Sequence, residues 1–125
     1  MRKALLPVVA VVIAGCANPQ SQRPAYTPMN TAAPTCGSSS ECSAMWSRAR
    51  DQIQALTRMR LRVATDAYME TYVGHGVPLV GYVERIDLGS GKYEIRGKVA
   101  CQRPGLCSDL PERATDLFNI NVGRG

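Results

Sequence analysis

Residues 61–73 read Leu-Arg-Val-Ala-Thr-Asp-Ala-Tyr-Met-Glu-Thr-Tyr-Val, and how many strands they form decides the architecture. Leu61, Val63, Thr65, Ala67, Met69, Thr71 and Val73 share one parity; Arg60, Arg62, Asp66, Tyr68, Glu70 and Tyr72 share the other. A period of two is the signature of a strand. The stretch therefore predicts one long strand, kinked near Asp66, with one face buried and the other wet. The wet face carries Tyr68, Tyr72 and Arg62, residue types enriched where proteins bind one another. These three form a candidate binding face.

Working outward, Gly74-His75-Gly76 and Pro78 break the pattern, and 79–87 predicts a second strand. Leu88-Gly89-Ser90-Gly91 is a turn, and 92–101 a third strand in which Tyr93, Ile95, Val99 and Cys101 alternate with charged residues. Short links between strands mean antiparallel hairpins. Before the sheet, Ser38 and Glu41 fit a capping box. Cys42, Trp46, Ala49, Ile53 and Leu56 then recur at helical spacing, so a helix is expected over 40–57 with Trp46 in the core. After the sheet, Asp109 and Glu112 fit a second box, and Ala114, Leu117, Phe118 and Val122 make an apolar face for a helix over 109–121. The expected fold is α+β: a three-stranded antiparallel meander with both helices on one face, in the order α-β-β-β-α.

The amino-terminal end has a different character. Met1-Arg2-Lys3 is a short basic start, and Ala4 to Ile13 is apolar throughout. Ten residues are too few for a stable membrane span, which needs about 20, but they suit the core of a secretory signal. The run ends Ile13-Ala14-Gly15-Cys16, a branched aliphatic, two small residues and a cysteine. This resembles the lipobox of bacterial lipoprotein signals. The resemblance implies cleavage before Cys16, acylation of Cys16 (palmitate among the chains) and anchorage in a membrane. Ala17 follows where an aspartate is associated with inner-membrane retention, so the resemblance implies the outer membrane, on its periplasmic face.

On this reading 1–15 is a signal peptide, 16–37 a lipidated disordered tether, and 38–125 a small folded domain. The tether expectation rests on Pro, Gln, Ser, Thr and Asn without apolar periodicity.

Four further cysteines remain, Cys36, Cys42, Cys101 and Cys107, in the segments CGSSSEC and CQRPGLC. An even count in an exported chain reads as two disulfides. Of three connectivities, the two local ones, Cys36 with Cys42 and Cys101 with Cys107, are favoured over a crossed pattern. Five-residue gaps do not suit zinc knuckles, and no metal or other cofactor is expected.

The formal charge is +5, but taking Arg2 and Lys3 from the 15 basic residues leaves a small excess over the 10 acidic ones. Apart from Arg58-Met59-Arg60-Leu61-Arg62, charges are scattered, without the basic stripe and interleaved aromatics of a nucleic-acid protein. His75 is the only histidine and has no nucleophile pattern beside it, so no catalytic residue is assigned and no enzyme is expected. Ser90-Gly91-Lys92-Tyr93 is similar to the Ser-Gly-x-x-Tyr motif of periplasmic lysozyme inhibitors, one residue short. In layout the chain also resembles accessory lipoproteins of type IV secretion or conjugation complexes, and small proteobacterial envelope lipoproteins at large. The expectation is a lipid-anchored binding or accessory protein of the cell envelope, with a membrane and an envelope protein as partners. An inhibitor of a cell-wall hydrolase and a secretion-complex component stand as alternatives.

Overall fold

The computed structural model describes residues 26–27, 29, 31–76 and 78–124, together with Gly15. The expected signal peptide apart from Gly15, the expected lipidation residue Cys16 and the first part of the expected tether lie outside the described residues. The elements run β1 (Thr35–Cys36), α1 (Ser39–Thr57), β2 (Leu61–Ala64), β3 (Tyr68–Thr71), β4 (Leu79–Gly89), β5 (Lys92–Cys101) and α2 (Leu110–Gly123). All five strands pair antiparallel in one sheet of order β1-β5-β4-β3-β2. The expected three-stranded meander is therefore corrected to five strands, with two additions.

The first addition comes from 61–73, which is a hairpin and not one strand. The chain reverses at Asp66-Ala67. Thr65 holds the reversal: its N–H donates to Tyr68 O (2.8 Å), and its hydroxyl accepts from the N–H groups of Ala67 and Tyr68 (3.2 and 2.9 Å). Arg85 N–H donates to Ala67 O (2.8 Å) and fastens the turn to β4. A two-residue turn flips the parity of the strand that follows. A bulge between Leu61 and Val63 flips it back. Leu61 therefore pairs with Thr71 and Ala64 with Met69 on one face, while Val63 opposes Glu70 on the other. Two compensating shifts let the sequence imitate an uninterrupted strand.

The second addition is β1. Its two residues pair with Glu94 and Tyr93, and Ile95 N–H reaches Pro34 O at 2.9 Å. The disulfide Cys36–Cys42 joins this strand to the first turn of α1. Cys101–Cys107 closes the loop from β5 to α2. Each bridge shortens a small loop of the unfolded chain, which contributes about 2 kcal/mol.

Both helices lie against one face of the sheet, and two glycines show why. A Cβ on Gly81 would collide with Ile53 and Thr57 of α1, and one on Gly97 with the ring of Phe118 of α2. Gly81 and Gly97 sit on the same face of neighbouring strands, opposite Val99 and Val83 respectively. Phe118, Ile53, Met69, Ile95, Val83 and Val122 fill the space between sheet and helices. Trp46 is in this core. The helices also touch: Asn121 Nδ2 donates to Gln52 Oε1 (2.9 Å) and Arg48 Nε to Val122 O (3.1 Å).

Helix α1 is capped as its sequence predicts, with Glu41 N–H donating to Ser38 Oγ (3.2 Å). Helix α2 is not. Asp109 makes no side-chain cap bond and pairs with Arg113 one turn on (2.8 Å). Its core-facing stripe is Ala114, Phe118 and Val122, Asp116 is buried on a different side, and Leu117 is exposed. The β4–β5 hairpin closes on Ser90 and Gly91, both in left-handed backbone (φ 56° and 75°), as a two-residue turn requires. The motif resembling the lysozyme inhibitors therefore sits on this turn and the start of β5.

Gly97→Ala should destabilise the protein by about 1–3 kcal/mol through overpacking against Phe118. Urea denaturation of Gly97→Ala, Phe118→Leu and the double variant tests this. The double should cost less than the sum of the singles, and simple additivity would mean that the two residues do not share the space.

Candidate functional site

The sequence-predicted binding face is the sheet face away from the helices. Tyr68, Glu70, Tyr82, Glu84, Arg96 and Lys98 lie across it in register. Arg62 is ion-paired with Glu70. Tyr72 lies just beyond β3 and is half exposed. Tyr68 and Arg62 thus share the face, with Tyr82 as an aromatic neighbour that the sequence pattern did not single out. His75 is exposed in the bend between β3 and β4. Among the described residues no group of three His, Cys, Asp or Glu side chains is placed to hold a metal ion.

A second feature lies at the edge of the sheet. Between β5, α2 and the Cys101–Cys107 loop runs a groove of about 780 Å³. One wall is the strand from Arg96 to Cys101, and the floor is α2 from Pro111 to Asn119. The groove exists because β1 is only two residues long. It pairs with β5 at Tyr93 and Glu94, after which the chain in the amino-terminal direction leaves the sheet for α2. Among the described residues, the outer edge of β5 has no strand beside it beyond Ile95.

The direction of the backbone groups on that edge follows from the ladder. Ile95 and Val99 send their N–H groups outward, to Pro34 O (2.9 Å) and Thr115 Oγ1 (3.2 Å). By alternation the N–H and C=O of Gly97 between them point the same way. They have no hydrogen-bond partner among the described residues. The Thr115 hydroxyl itself donates to Pro111 O (2.8 Å), so it bridges the helix to the strand.

The groove ends at a cluster around Asp116. Tyr26 Oη donates to Asp116 Oδ2 (2.5 Å), Met29 N–H to the same oxygen (3.0 Å), and Thr31 Oγ1 to Oδ1 (3.0 Å). Asn119 Nδ2 donates to Thr31 O and Oγ1 (3.1 and 3.2 Å), while its Oδ1 is buried without a partner among the described residues. The Arg113 guanidinium lies over the Tyr26 ring, 4.9 Å from its centre. The Tyr26 hydroxyl, then the Met29 amide, hold the Asp116 carboxyl below its ordinary 3.8, against desolvation. The same bond, helped by desolvation, raises the Tyr26 phenol above 10.0. One carboxylate thus latches the chain before β1 onto α2. Sequence reasoning missed it because Asp116 lies on the side of α2 away from the Ala114, Phe118 and Val122 stripe, where an acid reads as solvated, and because the partners that cover it, Tyr26, Met29 and Thr31, are distant in sequence.

Asp116→Asn should lower the melting temperature at neutral pH and speed hydrogen exchange at the Met29 amide. A carboxyl with a lowered folded pKa stabilises the fold fully above 3.8 and loses this as pH falls through the lowered value. The gap between wild type and Asp116→Asn should therefore close under acid. Tyr26 sets the opposite limit, stabilising fully below 10.0 and losing this as pH rises through its raised value. A gap that persists unchanged in acid would remove the latch. Comparison with protein-family models, curated proteins and solved structures finds no match to this chain, so the groove and the open face are read from their own geometry.

Proposed function

We propose that this chain is a lipid-anchored binding protein of the cell envelope, held at the periplasmic face of the outer membrane through Cys16, and not an enzyme. The observation that carries the binding half is the groove at the edge of β5, whose wall offers the Gly97 amide and carbonyl without partners among the described residues. The one acid whose geometry and pKa stand out, Asp116, is occupied in fastening the chain to α2. The anchoring half is supported by the lipobox-like run Ile13-Ala14-Gly15-Cys16 and by two disulfides, which persist in oxidising compartments. Among the described residues no helix is long and apolar enough to cross a membrane; on this reading the acyl chains on Cys16 supply the attachment. Two or more such chains hold a protein firmly, at about 0.8 kcal/mol per buried CH₂.

The latch at Tyr26 sets the geometry of this arrangement. Only the residues between Cys16 and Tyr26 separate the lipid from the fold, and fully extended they reach about 35 Å. The domain stands close to the bilayer, and its partner is an envelope component within that distance.

The test is intact mass and membrane fractionation of the native protein beside Cys16→Ser. The wild type should gain the mass of a lipidated amino terminus and follow the outer membrane, while Cys16→Ser should do neither. A soluble, unmodified wild-type protein would remove the anchor.

A further inference from the structure

We infer that the occupant of the groove is an extended peptide segment of a partner protein, added antiparallel to β5 as a strand in line with β1, with acidic side chains on its solvent side. This deepens the binding reading above and rests on it.

The chemistry of the site selects a backbone. Gly97 presents one donor and one acceptor off the edge, without partners among the described residues. Donor and acceptor at strand spacing are matched by another strand, which carries the same pair. The edge is prepared for one: β4 and β5 stay in register through Leu79 and Cys101, so β5 remains straight and supported after β1 has left it. The stretch from Gly97 to Cys101 has no strand beside it among the described residues and is five residues, about 17 Å of strand, with the Val99 amide in its middle held by Thr115 Oγ1. Its ends are closed by Thr31 at the latch and by the disulfide loop at Pro104 and Gly105. This bounds the occupant to a short extended segment.

The two walls differ, which sets the preference for side chains. Arg96 and Lys98 project from β5 on the open face, opposite Glu84 and Tyr82. Arg96 is bonded to Glu94 (3.0 Å), whereas Lys98 makes no ion pair among the described residues. A residue of the added strand beside Lys98 is favoured when acidic. Residues on the other face rest on α2 around Pro111 and Thr115, where the groove takes small or apolar side chains.

The test gives the edge a strand at high local concentration. The carboxyl end of α2 lies beside Pro34, where β1 begins. A Gly/Ser linker of about twelve residues after Gly125 spans about 20 Å as a coil, and the full chain is extended by it and then by Val-Glu-Val-Glu-Val. The effective concentration is then in the millimolar range. Hydrogen exchange at the Gly97 amide should slow at least tenfold, with Ile95, already bonded to Pro34, unchanged. The same extension ending Val-Pro-Val-Pro-Val should leave Gly97 as in the parent. Lys98→Glu should lose most of the protection, and Val-Lys-Val-Lys-Val should restore it. Equal exchange at Gly97 with the glutamate and proline extensions overturns the proposal. So does slow exchange at Gly97 in the unextended chain: with a dimer in sedimentation the occupant is a second copy, and with a monomer it is the chain's own amino-terminal segment. None of these readouts involves the lipid on Cys16, so a failure here and a failure of the anchor are separate results.

Discussion

The contact between Gly97 and the Phe118 ring is the constraint on which the rest of the structure depends. A sheet and a helix packed through ordinary side chains keep a full side-chain layer between them. Here the strand supplies no side chain, and the ring fills the place of a Cβ. Gly81 does the same for Ile53 and Thr57 one strand away. Both helices are thereby drawn close to the sheet and to each other, where Arg48 reaches the carbonyl of Val122. Because Phe118 sits against β5, α2 runs beneath the outermost long strand, and Thr115 can bond the edge amide of Val99. The groove is a consequence of this close approach. A helix held farther away would leave β5 an open edge with no floor.

The amino-terminal segment and the two disulfides then define where the groove begins and ends. Pro34, Thr35 and Cys36 occupy one end of the β5 edge, and Cys36 is fixed to α1 by its bridge. The next residues back cannot continue along the strand, because Thr31 and Met29 are held by Asp116 and Asn119 on α2. At the other end Cys101–Cys107 turns the chain from strand to helix. The bare part of the edge is what remains between two fixed points. The carboxylate of Asp116 therefore shapes a binding surface in which it takes no direct part.

Much of this was legible in the sequence and some of it was not, for identifiable reasons. Helix α1 was readable because its apolar stripe and its Ser38 cap agree. The β4–β5 hairpin was readable because Ser90-Gly91 is a turn that few other conformations accommodate. The β2–β3 hairpin was hidden: its turn, Asp66-Ala67, has no glycine, and the bulge near Arg62 cancels the change of parity. Strand β1 was hidden because two residues carry no period, and prolines precede it. Its pairing is set by the tertiary contacts that hold Cys36 and Thr31. On α2 the apolar pattern pointed to Leu117, which is exposed, and gave no sign of Asp116, which is buried under Tyr26, Met29 and Thr31 on the side away from the core.

The same distinction separates the two candidate surfaces. The open face with Tyr68, Tyr82 and Arg62 is a side-chain surface, so residue types and parity point to most of it from the amino-acid sequence alone. The edge of β5 is a backbone surface. Its recognition groups are amides and carbonyls that every residue carries, and only topology decides which of them lack partners. Arg62 on the open face is already matched by Glu70, whereas the Gly97 amide and carbonyl have no partner among the described residues. A buried or half-buried backbone group without a partner is costly, while an exposed tyrosine is not. The stronger demand for a partner therefore lies at the edge. An added strand there meets backbone with backbone, and takes its selectivity from Lys98 on one side and the floor of α2 on the other.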